Sequence, residues 1–229
     1  MALHLTPRLQ IVADRVPAGA RLADVGTDHA YLPAWLLMEG KIPFAVCTDL
    51  RPGPLERAKE TVEHYGVEDK VSLRLCDGLS GVEPQEVDCV AIAGMGGETI
   101  LHILEAAPWS REKTCVVQPM SSLSDLRSGV GQLGLRITRE TLAQEGETLY
   151  VVMELTAGAE GPLTAAELLV GRVENHLNDP LWPRYLQQET ARTRRALEGL
   201  AQSKRPEDEQ RRQALQKALA GIQSMMEAI

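Results

Sequence analysis

The chain has little that would carry it into a membrane or out of a cell. Its start, MALHLTPRLQIVADRVP, has no long apolar stretch, and nowhere does an uncharged run approach the length of a membrane span. A cytoplasmic protein is expected. The four cysteines (Cys47, Cys76, Cys89 and Cys115) stand far apart with no C-x-x-C pair. That spacing argues against a zinc site and a disulfide framework; reduced thiols buried on strands are expected, and no metal. There is no internal repeat and no low-complexity stretch. Also missing are the later glycines of a nucleotide loop. An apolar strand runs into Asp24-Val25-Gly26, but Asp28, His29 and Ala30 then stand where G-x-G-x-x-G would put bare backbone.

What is there fits a soluble globular chain: 229 residues, 44% hydrophobic and 24% charged, enough for one good core and a smaller appendage. A net charge of −8 argues against a nucleic-acid partner until its distribution is considered. Residues 163–229 carry 10 Lys and Arg against 9 Asp and Glu, and the remainder carries 14 against 23, so the two parts differ as +1 and −9. Such asymmetry points mildly to different partners for the two parts.

Thr6-Pro7 reads as an N-cap and first helical position, with Leu9, Val12, Ala13 and Val16 on one apolar face. Strand candidates then alternate with helical patterns. The strands are Arg21–Val25, Phe44–Thr48, Val71–Leu75, Cys89–Ala93 and Cys115–Gln118; the helices are Tyr31–Glu39, Pro54–Tyr65, Glu98–Ala107 and Leu123–Leu133. This alternation predicts βαβ units and a parallel sheet. Leu135–Leu142 and Leu149–Leu155 have no room for a helix between them and predict a closing antiparallel hairpin. The fold class is therefore α/β, a doubly wound sheet of the methyltransferase kind. Beyond Gly158–Pro162 the pattern is helical, with Pro180 and Pro183 interrupting it and a turn at 203–210 before a last helix to about Glu227. Leu186, Leu197, Leu200, Leu215, Leu219, Ile222 and Met226 predict the seam of a coiled-coil-like helical hairpin. Two domains follow, 1–160 and 161–229.

Ligands of open α/β sheets bind at the carboxyl ends of the strands. Those ends carry Asp24-Val25-Gly26, Asp49-Leu50, Asp77-Gly78, Ala93-Gly94-Met95-Gly96-Gly97 and Gln118-Pro119-Met120. Asp49 lies 25 residues past Asp24, where a ribose-binding carboxylate belongs, and Asp77 is placed for an adenine amine. One acid at a strand end reads equally as a helix cap; three in register point to a nucleotide-type cofactor. A dinucleotide would set its phosphates beside Asp28, whereas S-adenosylmethionine has no phosphate and carries an ammonium and a sulfonium cation. The loop favours the methyl donor.

The stretches LTPRLQIVADRVP, ADVGTDHAYLP, CDGL, AIAGMGG and QPM, in that order, resemble the TrmK family of bacterial tRNA adenine methyltransferases. The resemblance covers essentially the whole chain. It implies a class I (Rossmann-like) methyltransferase fold, S-adenosyl-L-methionine as donor, and methylation of ring nitrogen 1 of the adenine at position 22 of tRNA. Thr27 stands where Ser is expected, which keeps the hydroxyl. Met120 stands where relatives often carry Asn, which removes a hydrogen-bonding candidate for the target base.

The cofactor-binding set is Arg8, Asp24, Gly26, Asp28, His29, Asp49, Leu50, Asp77, Gly78, Ala93, Gly94, Met95 and Gly96. Gly94 to Gly97 lets a flat ring approach but offers no side chain to orient it. Asp28 and His29 are therefore the catalytic candidates. Asp28 would accept the exocyclic amine and offset the cationic product; against this stands a helix cap before Tyr31. His29 reads also as a packed histidine without proton transfer, Tyr31 as a stacking partner of the base or a core residue, and Arg8 as a ligand of the donor's carboxylate or a tRNA phosphate, or a surface ion pair. Ring nitrogen 1 lies on the pairing edge, so the base must be exposed. An acidic sheet domain needs cationic help to hold tRNA, and Arg184, Arg192, Arg194, Arg195, Arg211 and Arg212 are the RNA-binding candidates, against a solvated helix face. A monomer is expected. A methyltransferase acting on a metabolite or protein, and a non-catalytic RNA-binding scaffold, remain the alternatives.

Overall fold

The computed structural model describes residues 3–201 and 205–228. Thr6 caps α1 (Pro7–Arg15), its hydroxyl accepting the Leu9 N–H at 3.5 Å. Strand and helix then alternate as β1 (Leu22–Val25), α2 (Tyr31–Met38), β2 (Ala45–Asp49), α3 (Pro52–His64), β3 (Val71–Leu75), β4 (Cys89–Gly96), α4 (Gly97–Ala106), β5 (Thr114–Ser121) and α5 (Leu123–Val130). The hairpin β6 (Leu135–Glu145) and β7 (Thr148–Ala157) closes the sheet, and α6 (Ala165–Val170), α7 (Trp182–Leu200) and α8 (Pro206–Glu227) follow.

The seven strands order as β3-β2-β1-β4-β5-β7-β6. β7 runs antiparallel to both β5 and β6, while the other pairings are parallel. Strand order reverses between β1 and β4, which is where such sheets bind ligands. Central strands such as Leu-Ala-Asp-Val of β1 are buried throughout, as parallel strands covered on both faces must be. One core layer packs α1, α2 and α3 on the sheet through Val12, Leu36 and Val62. The other packs α4 and α5 through Ile100, Leu104 and Leu126, and runs on without a break into Val170, Tyr185, Leu186 and Ile222 of the C-terminal helices.

Three elements differ from the sequence expectation. β4 and β5 run on to Gly96 and Ser121, pairing through the expected glycine loop with two register shifts between Ala93 and Gly96. The helix expected over Leu123–Leu133 ends at Val130 and gives way to a 3-10 turn at Gly131–Leu133. In the C-terminal seam Leu186 and Ile222 are fully buried. Leu197, Leu200, Leu215 and Leu219 are half-buried, and Met226 is exposed with its sulfur 3.7 Å from the Thr190 hydroxyl. The expected turn at 203–210 begins with Ser203 and Lys204, which lie outside the described residues.

A buried ionic cluster joins the C-terminal segment to the sheet. The Arg127 guanidinium donates to both Glu140 oxygens at 2.9 Å, and to the Leu168 and Leu169 carbonyls at 3.0 and 2.7 Å. His176 Nε2 lies 2.9 Å from Glu140 Oε2, and its ring stacks on Trp182 at 4.0 Å. Burial alone would raise the Glu140 pKa, but the charge of Arg127 and the hydrogen bonds from His176 and Arg127 outweigh it and hold the carboxyl at about 2.

Candidate active site

The carboxyl ends of β1, β2 and β4 come together because the register pairs Val25 with both Thr48 and Ile92. Gly26, after β1, has φ +69°, and a Cβ there would come 2.1 Å from Met95 Cε. The methionine tip can move aside, but the left-handed φ strains any residue with a Cβ, which is why glycine stands here. Its N–H and that of Thr27 donate to the Thr48 carbonyl at 2.8 and 3.0 Å, tying β1 to β2.

Asp24 is 5% exposed and accepts the Thr27 hydroxyl at 2.5 Å. Desolvation pushes its pKa up to about 6 against the lowering effect of that hydrogen bond. An anion kept partly out of water in this way favours a cationic ligand. Asp28 and Ala30 both have positive φ, 47° and 53°. The N-cap of α2 is Ala30, with no side-chain cap, so Asp28 is not a helix cap. Its exposed carboxylate instead pairs with Arg57 and lies 3.8 Å from His29 Nε2. His29 stacks parallel on Tyr31 at 5.1 Å, and Tyr31 is exposed, not in the core.

Arg8, Asp24, Gly26, Asp28, His29, Ala93 and Gly94, with Leu9, Thr27, Tyr31 and Leu32, line a cavity of about 310 Å³. Met95 reaches Gly26 from below, and Gly96 leads into α4. Asp49 lies outside this cavity at the end of β2, half-buried, with one oxygen accepting the Arg51 N–H at 2.9 Å. Asp77 is exposed just past β3, and the Gly78 carbonyl accepts the Thr48 hydroxyl at 2.9 Å. Leu50 and Leu75, at neighbouring strand ends, are 66% and 60% exposed. Two large apolar side chains held in water beside Asp49 and Asp77 suit a flat ring.

The residue sequence reasoning missed is Gln118. It is fully buried at the end of β5, and its side-chain oxygen accepts Arg8 Nη1 at 3.0 Å and the Gly94 N–H at 3.2 Å. Its place in the QPM stretch marked the strand end but not that role. Glu145 accepts the Arg8 N–H at 3.0 Å, and the Arg8 guanidinium lies 5.2 Å over the Tyr150 ring. Arg57, Glu145 and Tyr150 left no local signal, because each reaches the site from a distant element.

The arginines of the C-terminal helices divide. Arg184 pairs with Glu147, Arg192 with Glu189 and Arg212 with Glu209. Arg194, Arg195 and Arg211 are exposed, with no ion pair among the described residues. A larger cavity, about 530 Å³, lies along the outer edge of β6 and touches none of the expected site residues. Among the described residues no helix is long and apolar enough to cross a membrane, and no group of three His, Cys, Asp or Glu side chains could hold a metal ion.

The site fits a cofactor with cationic centres better than one with phosphates. Carboxylates stand at the first turn and at the next two strand ends, and the Gly26 turn holds a left-handed φ that favours bare backbone. Residues 5–153 match the family described as a methyltransferase domain. The chain is 31% identical over 234 residues to tRNA (adenine(22)-N(1))-methyltransferase of Bacillus subtilis (strain 168), covering 99% of this chain and 98% of that protein. The crystal structure of the B. subtilis M1A22 tRNA methyltransferase TrmK matches with a TM-score of 0.87 and 29% identity, over 98% of this chain and 100% of that one. Streptococcus pneumoniae Sp1610, solved in complex with S-adenosyl-L-methionine, matches with a TM-score of 0.83 and 30% identity, over 97% and 100%.

Proposed function

Because the chain belongs to the TrmK family of tRNA (adenine(22)-N(1))-methyltransferases, we propose that it methylates ring nitrogen 1 of an adenine in tRNA, at position 22, using S-adenosylmethionine. The observation that carries this reading is a cavity rimmed by Asp24 and Asp28, in a chain that matches a tRNA methyltransferase over its full length and not only over the sheet.

When bound, S-adenosylmethionine supplies a methyl group on a cationic sulfur. Asp49 would offer its second oxygen to ribose hydroxyls, Asp77 would take the adenine amine, and Leu50 and Leu75 would flank the ring. Gly26, Gly78, Ala93, Gly94, Met95 and Gly96 keep the backbone close. Asp24 and Asp28 would favour the cationic end, and Arg8 would bind the carboxylate. The target nitrogen has its own lone pair, so orientation supplies much of the rate and no side chain need remove a proton first. Asp28 accepts the exocyclic amine of the target and offsets the charge left on the methylated ring, while His29, stacked on Tyr31, bounds the base.

Residues 1–160 carry this chemistry. Residues 161–229 form a coiled-coil-like RNA-binding arm that presents Arg184, Arg192, Arg194, Arg195, Arg211 and Arg212 to phosphates. Three of these are held by acidic neighbours, whereas Arg194, Arg195 and Arg211 have no ion pair among the described residues and are the ones best placed to meet RNA. The protein acts as a cytoplasmic monomer. Incubation with labelled donor and a tRNA transcript, followed by nucleoside mapping, tests the reading: 1-methyladenosine at one position is expected, and label on protein or small molecules alone overturns it.

A further inference from the structure

A further cavity, of about 280 Å³, has Met120 and Tyr150 among its lining residues. Both touch Arg8, which lines the donor cavity: Arg8 places Nη1 3.3 Å from Met120 Sδ and its guanidinium over the Tyr150 ring. The cavity opens where the end of β5, the start of β7 and the first turns of α7 meet, the passage from sheet to helical arm. Pro119, Leu149 and Tyr185 give it apolar walls; Ser124, Glu189 and Arg192 give it polar ones.

Glu189 decides what the space can take. Its side chain is 14% exposed, and one oxygen accepts Arg192 Nη1 at 2.6 Å. Among the described residues the other oxygen has no hydrogen bond shown. Desolvation raises the pKa of this carboxyl, with Arg192 opposing. A carboxylate drawn out of water beside apolar walls gains from a ligand that donates a hydrogen bond to it. The apolar walls suit the flat face of a ring, and the guanidinium suits a phosphate.

We propose that this cavity is a second nucleotide subsite, which takes a nucleotide adjoining the target adenine, sets a base with an exocyclic amine against Glu189, and leads its phosphate to Arg192. The proposal rests on the tRNA-methylation reading. An adenine pulled from its stack is held out at a cost of a few kcal/mol, and a neighbour anchored through the same backbone offsets that cost. Base contacts specify while phosphate contacts position. Adenine, guanine and cytosine present an exocyclic amine, whereas uracil offers only its ring N3–H, flanked by two carbonyl oxygens that repel a carboxylate, so the subsite disfavours uridine.

The test is single-turnover methylation, at saturating donor, of tRNA transcripts that carry each of the four bases in turn on either side of the target. For the wild-type enzyme, uridine on one side should lower kcat/KM about tenfold relative to the amine-bearing bases, as loss of a charged hydrogen bond implies. Glu189→Leu, which keeps bulk and removes the acceptor, should level the panel at the uridine rate with donor affinity unchanged. Arg192→Gln should instead lower all transcripts alike and reduce the salt slope by about one. A wild-type panel without discrimination, or discrimination that persists in Glu189→Leu, overturns the subsite while leaving tRNA methylation intact. Absence of 1-methyladenosine on every transcript overturns the underlying reading instead.

Discussion

Arg8 and Gln118, 110 residues apart, are joined by a 3.0 Å hydrogen bond from Nη1 to Oε1, and the same oxygen accepts the Gly94 N–H at 3.2 Å. One buried amide thus fixes both a cation on the donor cavity and the backbone at the end of β4. Its own NH2 group is engaged by the Pro119 carbonyl at 2.8 Å, so the oxygen has no other orientation available.

Replacing Gln118 with Leu leaves Arg8 and the Gly94 N–H without their acceptor. Donor affinity should fall by about 1.5–3 kcal/mol, the scale of a hydrogen bond to a charged group. Gln118→Glu keeps an acceptor for both and, when protonated, a donor for the Pro119 carbonyl, so it should retain more of the affinity than the Leu variant. Calorimetry with S-adenosylhomocysteine reads the difference. Equal affinity in the Leu variant would mean that the position of Arg8 is immaterial to donor binding.

Asp28 offers a cleaner separation of chemistry from stability, because its side chain caps no helix. Asp28→Asn keeps the shape of the turn and removes the charge. The single-turnover rate should drop at least about tenfold, given what one preorganised electrostatic partner contributes to a transition state. Donor affinity should fall less than the rate, because Asp24 remains beside the cationic end, and stability should stay within about 0.5 kcal/mol, as for exposed positions. A preserved rate would leave Asp28 as no more than the partner of Arg57.

The sheet was legible in the sequence because its central strands are short apolar runs ended by Asp and Gly, and their spacing leaves room for one helix each. Asp24 and Gly26 were legible for the same reason: they interrupt such a run at its carboxyl end. The extension of β4 through Gly94–Gly96 was not, since glycines read as loop unless a neighbouring strand pairs with the segment, as Pro119 and Ser121 of β5 do with Met95 and Gly96. The Arg127–Glu140–His176 cluster was equally hidden. Arg127 sits in a helix and Glu140 in a strand, both usual solvent positions, and only the fold shows them buried together.

Asp24 links donor binding to pH. Its folded pKa of about 6 lies above the ordinary value of 3.8. The folded protein therefore holds this proton over a range where the unfolded chain has lost it. Stability contributed by Asp24 falls as pH rises from about 4 to about 6, by on the order of 3 kcal/mol, and is level above that. A cationic donor favours the ionised carboxylate, so its affinity should run the other way, weakening up to about tenfold per pH unit below about 6. Asp24→Asn should remove both slopes. Melting curves and calorimetry across this range, wild type against variant, measure them; parallel slopes in the two proteins would take Asp24 out of the linkage.

The helical arm can be tested through the three arginines that structure leaves without an ion pair among the described residues. Arg184, Arg192 and Arg212 already face Glu147, Glu189 and Glu209, so recruiting them to a phosphate costs an existing pair. Arg194, Arg195 and Arg211 carry no such cost, and as exposed positions their replacement should leave folding within about 0.5 kcal/mol. Changing all three to Gln removes up to three phosphate contacts. The slope of log K for tRNA against log salt should then become less steep by up to about 0.9 per lost contact, with weaker binding at low salt and convergence toward wild type at high salt. Donor affinity, set at the other end of the molecule, should not move. An unchanged slope with unchanged methylation would show that these arginines form a solvated helix face, and that tRNA is held elsewhere on the protein.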